Sequence, residues 1–233
     1  MSEASEMCGS VPIRQVIQGD CLEAMKDIPN ESIDHIITDF PYNVGKVTYF
    51  PSDAAYYRFL EDACIEVCRV LKNNGNFVFY VGDKDIVNKL NIVAKFFKYQ
   101  WRIVQYKPTF RQFGKTGFTK TDLIWWFTKK ESKGKIYRRH PDIIVDKKEN
   151  MRYDHPCFKG EIVMESLVKI FTKEGDLVLD PMCGIGGTLV ACNNLKRQWI
   201  GIEKKYEYCA IARKRVEAVD EPVKDGWMDD PFG

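Results

Sequence analysis

The sequence has eight cysteines but no CxxC pair, and only three histidines, none placed with cysteine at a metal-ligand spacing. That pattern excludes a structural zinc module, so no metal is expected. The thiols are read as reduced, in a cytosol-like compartment; Cys64 and Cys68, four apart on a helical pattern, are read as packing residues. No apolar run is long enough to span a bilayer, and the opening MSEASEMCGS has no signal-peptide apolar region. The expected setting is therefore cytoplasmic or nucleoid-associated, without membrane contact. Internal repeats are absent, and no Gly-Lys-Ser/Thr element completes a P-loop.

What is present is an ordinary globular composition, 45% hydrophobic and 29% charged over 233 residues. That accommodates one α/β domain with a full core and one small insertion. The net charge of +2 hides an asymmetry. Between Lys98 and Arg139 twelve cations stand against two acids, Asp122 and Glu131, with Tyr99, Trp101, Tyr106, Phe110, Phe113 and Phe118 interleaved. Basic residues alternating with aromatics suit a polyanion with stackable bases, although a solvated basic face has the same composition.

The periodicity predicts strands over 11–17, 33–38, 76–81, 101–106, 123–128, 177–179 and 198–202. Helices are predicted over 22–28, 54–72 (with Asp53 as N-cap), 84–97, 161–173, the stretch ending near 195, and 206–219. Asn74-Gly75 reads as a turn, and 107–120 and 129–155 as irregular. Strands alternating with helices imply a mostly parallel, doubly wound sheet covered on both faces. The expected organisation is a disordered leader over 1–10, a catalytic domain over 11–219 and an acidic tail over 220–233. Within the domain, a basic recognition insertion is expected at about 107–155, its core at 129–155.

Two segments carry chemistry. The first is strand, glycine turn and helix: Asp180-Pro181-Met182-Cys183-Gly184-Ile185-Gly186-Gly187-Thr188, with Glu203 ending the next strand. Gly184 and Gly186 permit positive φ and close approach of backbone to a ligand, and the following helix offers free N–H groups. Glu203 stands where a carboxylate accepts from two ribose hydroxyls. A dinucleotide site lacks its third glycine, whereas Asp180, leading into the turn, suits the cationic S-adenosylmethionine. The second segment, Asp39-Phe40-Pro41-Tyr42, follows a compact apolar strand directly, at the sheet edge where open α/β folds bind ligands.

Taken with Gly19-Asp20-Cys21-Leu22 and the run Ser32 to Asn43, this segment resembles the amino-methyltransferases of DNA, whose signature is Asp/Asn/Ser-Pro-Pro-Tyr/Phe. The tetrad precedes the glycine loop, with a basic stretch between them. That is the circularly permuted order of the family's β group, of N6-adenine and N4-cytosine enzymes. His155-Pro156-Cys157-Phe158-Lys159 and the strand Leu123–Lys129 resemble further elements of the group. Phe40 replaces a proline, Met182 and Ile185 replace the usual Phe and Ser, and Gly160 replaces another proline.

The resemblance implies a Rossmann-like methyltransferase fold using S-adenosyl-L-methionine, with no covalent enzyme intermediate. It makes Asp39 and the Phe40 carbonyl the acceptors that grip an exocyclic amine. Pro41 biases Phe40 to an extended conformation, and Tyr42 offers a ring for a flipped base. Asp20 and Cys21 are placed near the cofactor's adenine, and Lys159 near its carboxylate. Asp180, Pro181, Met182, Cys183, Gly184, Gly186, Thr188 and Glu203 form the rest of that site. Arg111, Lys115, Lys120, Arg138 and Arg139 are the candidate nucleic-acid contacts, and His35, inside a strand, is read as structural. DNA adenine N6 is the preferred target because Asp leads the tetrad. N4 methylation of cytosine in DNA or ribosomal RNA stays open, as does a non-catalytic nucleic-acid-binding subunit; methylation of a protein glutamine amide is more remote. The short insertion suggests a homodimer, a partner subunit or a short target.

Overall fold

A computed structural model describes residues 6–41, 49–80, 82, 84–108, 112–114, 117–146 and 160–218, with the backbone alone at 112–114 and 117–119. In chain order the elements are β1 (Met7–Cys8), β2 (Val11–Pro12), β3 (Gln15–Gln18), α1 (Cys21–Ala24), β4 (Ile33–Asp39), α2 (Asp53–Val70) and β5 (Leu71–Tyr80). Next come α3 (Ile86–Ala94), β6 (Phe97–Tyr106), β7 (Gln112–Gly114), β8 (Gly117–Thr119), β9 (Thr121–Lys129) and β10 (Ile143–Val145). The chain continues with α4 (Glu161–Phe171), β11 (Leu177–Asp180), α5 (Gly187–Asn194), β12 (Gln198–Glu203) and α6 (Tyr206–Glu217).

Eight strands form one sheet in the order β10-β6-β9-β5-β4-β11-β12-β3. Every pairing in it is parallel except those of β9, which runs antiparallel to both β5 and β6. The central strands are apolar on both faces, as two helical layers require. One core packs Ile36, Phe77 and Leu179 under Leu60 and Val67 of α2. The other packs Ile37, Val78 and Val178 under Leu167 of α4, Leu189 of α5 and Ala212 of α6. From β4 the chain passes through α2 to β5 on one side, and from β11 through α5 to β12 on the other. The sheet therefore reverses between β4 and β11, and a crevice opens at the carboxyl ends of those strands.

The expected elements are present, with local differences. The strand expected over 11–17 is broken at Arg14, which takes φ +59, so only Gln15–Gln18 joins the sheet. Ser52, not Asp53, caps α2: its hydroxyl accepts from the Ala55 amide at 3.1 Å, while Asp53 sits in the first turn, where the helix dipole favours a carboxylate. Asn74-Gly75 lies within β5, where the register jumps from Ile33 opposite Leu71 to His35 opposite Asn76. Gly75 is needed there, since a Cβ would stand 2.5 Å from the Asp34 carbonyl oxygen. The stretch 107–120 contains the β7–β8 hairpin, and residues 143–145, expected to be irregular, pair with β6 as an edge strand. The leader expected to be disordered over 1–10 is described from Glu6 onward, where Met7–Cys8 pairs antiparallel with Val11–Pro12 and Cys8 is buried against the core. Residues 1–5, the segment 147–159 and the acidic tail lie outside the described residues.

Candidate active site

The crevice holds a cavity of about 290 Å³, lined by Gly19, Asp20 and Cys21 after β3, by Thr38 to Pro41 at the end of β4, and by Asp180 to Ile185 at the end of β11. Thr188, Glu203, Lys204 and Lys205 complete that wall. Three segments far apart in sequence thus meet because three parallel strands deliver their carboxyl ends to one rim.

Asp180 ties two of them together. Its buried carboxylate accepts from the Thr38 hydroxyl at 2.8 Å and from the Met182 amide at 3.2 Å. Burial pushes this carboxyl up to about 6; hydroxyl and amide donors from Thr188, Thr38 and Met182 oppose the rise, and the neighbouring Asp39 charge adds to it. The expectation that Asp180 serves a positive charge acquires a second component, because it also shapes the loop from inside.

The glycines divide their duties. Gly184 (φ +52) lines the cavity and donates its amide to Glu203 Oε2 at 3.0 Å. Gly186 (φ +80), expected to let backbone approach a ligand, instead faces α6, where a Cβ would stand 3.0 Å from Ala212 Cβ. Glu203 Oε1 accepts from the Lys205 amide at 2.7 Å. Each carboxylate oxygen keeps further acceptor capacity for a ligand hydroxyl. Asp20 caps α1 by accepting from the Leu22 amide at 3.0 Å, and pairs with Lys204 at 3.1 Å. Burial drives the Cys21 thiol up to about 12, so it lines the wall as an apolar group rather than a thiolate.

Asp39 ends β4 in register with Tyr80 of β5. Phe40 turns its ring into the core, edge-on to Phe77 and Phe79 at centroid distances of 6.1 and 5.4 Å. The departure from proline thus has a packing reason that the sequence did not disclose. Tyr42, Lys159, Arg111 and Lys115 lie outside the described residues.

Several lining residues escaped the sequence reading. Tyr49, Phe50, Phe59, Met164 and Tyr208 also line the cavity. The Lys205 ammonium sits 5.6 Å from the Tyr49 ring and 4.9 Å from the Tyr208 ring, linking the two aromatics. Arg215, only 5% exposed, donates to the Ile185 carbonyl at 2.8 Å and pairs with Glu161 at 3.0 Å, supporting the loop from behind. A basic residue in the last turn of a helix reads locally as a dipole partner, so no local signal marks its tertiary role.

The basic stretch does not form one face. Lys107 and Lys120 reach the rim, where Lys107 pairs with Asp122 at 2.7 Å and Lys120 donates to the Pro108 carbonyl at 3.1 Å. Because β9 runs back down the sheet, Lys129 and its successors arrive at the opposite end, and Lys129 meets Glu31 at 3.1 Å. Arg138 and Arg139 follow Tyr137, whose amide donates to Ile170 at the foot of α4, so they are not brought to Asp39. His35 is structural, as expected: Nδ1 accepts from the Asn76 amide at 3.2 Å and Nε2 bonds Asp176 at 3.0 Å. Burial works against the Asp176 charge, but hydrogen bonds from His35 and Lys173 prevail and hold its carboxyl well below the usual range.

Among the described residues no group of three His, Cys, Asp or Glu is arranged to hold a metal, and no helix is long and apolar enough to cross a membrane. The seven described cysteines are free thiols.

Residues 33–214 match the N6_N4_Mtase family model, described as DNA methylase. YubD of Escherichia coli (strain K12) is 30% identical over 237 residues, spanning 93% of this chain and 96% of its own length. Type II methyltransferase M.HpaI of Haemophilus parainfluenzae is 29% identical over 251 residues, spanning 91% of this chain and 79% of its own. The crystal structure of the M1.HpyAVI–SAM complex superposes with a TM-score of 0.71 at 26% identity, covering 87% of this chain and 98% of that one.

Proposed function

This chain belongs to the N6_N4_Mtase family of DNA methylases, and from that premise we propose that it transfers a methyl group from S-adenosyl-L-methionine to the exocyclic amino group of a DNA base, adenine N6 in preference to cytosine N4. The observation that carries the reading is the shared cavity: the Asp39-Phe40-Pro41 segment and the 180–188 loop line one cleft, stitched by the Thr38–Asp180 hydrogen bond.

The residues present fit the cofactor. Asp20, Asp180 and Glu203 supply carboxylates for its cations and hydroxyls, while Cys21, Phe50, Met182 and Ile185 supply apolar surface for its base. When bound, S-adenosyl-L-methionine supplies an electrophilic methyl group on a positively charged sulfur. The protein's part is to prepare the amine. An aromatic exocyclic amine is a weak nucleophile because its lone pair is delocalised into the ring. The Asp39 carboxylate and the Phe40 carbonyl accept its two hydrogens, which favours a pyramidal nitrogen and localises the lone pair. Asp39 is also the acceptor for the proton that the alkylated nitrogen sheds. Catalysis is then positioning and electrostatics. The preference for adenine rests on Asp at the head of the tetrad.

Modification-sensitive sequencing of DNA from cells expressing wild type and Asp39→Ala tests this. A base mark in the first and none in the second is expected, and mass analysis of digested nucleosides identifies the base. N4-methylcytosine overturns the adenine preference alone; an unchanged mark in Asp39→Ala overturns the mechanism.

A further inference from the structure

The basic residues that fail to reach the rim form a surface of their own. Between Lys129 and Asp142 six cations stand against two acids. Of the acids, Asp142 is engaged by Trp101 Nε1 at 3.4 Å and Arg102 at 3.9 Å, which leaves Glu131 as the loop's remaining counter-charge. Lys130, Lys133, Lys135, Arg138 and Arg139 are exposed. Lys130, Lys133 and Arg139 have no carboxylate partner among the described residues.

This loop is held in place from inside. Asn76, fully buried on β5, commits its whole side-chain amide to it and its surroundings. Nδ2 donates to the carbonyls of Lys135 at 2.8 Å and Phe171 at 2.9 Å; Oδ1 accepts from Trp126 Nε1 at 3.0 Å and from the Lys135 amide at 3.3 Å. Gly134 takes φ +70 in a space where a Cβ would stand 2.6 Å from Trp126. The Ser132 hydroxyl accepts from the Gly134 amide at 3.0 Å, and the Tyr137 amide bonds Ile170 at 2.8 Å. A solubilising charge run needs no such order. Fixing like charges on an immobile loop costs self-repulsion, which a polyanion relieves.

The loop also stands away from the reaction. It begins where β9 ends, and nine residues of extended strand put roughly 30 Å between that point and the rim. From that start at Lys129, paired with Glu31, to Tyr137, bonded to Ile170, the loop stays at the foot of the sheet, the far end from Asp39, before Asp142 climbs to Val104. We propose that this lower surface binds the phosphate backbone of a second DNA segment, distinct from the one being methylated, so that one chain holds two duplexes. The inference rests on the assignment as a DNA methylase for its choice of polyanion, and on Asn76 and its partners for the surface.

Sedimentation velocity at low salt with a short labelled duplex tests it. Wild type is expected to carry two duplexes per chain, and K130Q/K133Q/K135Q/R139Q one, with kcat on a single-site short duplex unchanged. The salt dependence of the second binding step weakens by about 0.9 in log–log slope for each phosphate that is no longer neutralised. Asp39→Ala separates the two readings: it loses methylation and keeps the second duplex. One duplex per wild-type chain at every salt concentration overturns the proposal whatever the variant's stability, and so does a variant that still carries two.

Discussion

The amide of Gly184 donates to the carboxylate of Glu203 across 3.0 Å, although the two are nineteen residues apart. A single contact thus sets both the opening of the glycine loop and the direction of the acid. Glu203→Ala removes an acceptor for the loop and for a ligand hydroxyl together. Charge-assisted hydrogen bonds contribute about 1.5–3 kcal/mol, so cofactor affinity measured by calorimetry is expected to fall roughly 10- to 100-fold. An affinity within twofold of wild type would remove Glu203 from the site.

Asp180 sets a pH dependence. Its folded-state carboxyl is raised to about 6 from an ordinary value of 3.8, so between those values the folded chain holds a proton that the unfolded chain has released. Folding stability from this group therefore falls as pH rises from about 4 to 6, by roughly 3 kcal/mol in all. Asp180→Asn is expected to flatten that slope in urea melts recorded across the window. A cationic ligand favours the ionised carboxylate, so S-adenosyl-L-methionine should bind more weakly as pH falls below about 6. S-adenosylhomocysteine, without the sulfonium charge, should show a shallower dependence, and identical profiles for the two would contradict this role.

Phe40→Pro restores the family's tetrad and empties a place in the core beside Phe77 and Phe79. Loss of a buried ring costs about 3–5 kcal/mol, read as a drop in the urea midpoint. Methylation by the folded fraction should persist, because the acceptor at this position is the main-chain carbonyl. A proline variant as stable as wild type would show that the ring contributes little.

Lys205 links the Tyr49 and Tyr208 rings through its ammonium. Exposed cation–π contacts are worth about 0.5–1 kcal/mol each. Lys205→Met keeps the stem and drops the charge, and stopped-flow fluorescence is expected to show cofactor leaving several-fold faster. Lys205→Arg should restore the slow rate, while unchanged release in the Met variant would make the contact incidental.

Much of the site was legible because its parts are local. Asp39 follows an apolar run that can only be a buried strand, and Gly184 and Glu203 share one βαβ unit. Tyr49, Phe59 and Arg215 were not legible, because what marks them is a neighbour supplied by another layer of the fold. Asn76 reads as an ordinary residue after a turn, yet its side chain satisfies three separate segments.

From the sequence alone followed the alternation of strand and helix, the order of tetrad and glycine loop, and the family resemblance, since each depends on spacing within a few tens of residues. Only the tertiary structure decided that Gly186 serves helix packing, that the Phe40 ring is a core residue and that the basic stretch divides between rim and foot. The physical reason is direction: β9 runs antiparallel to its neighbours, so charges contiguous in sequence are carried to opposite ends of the sheet, and composition holds no record of that reversal.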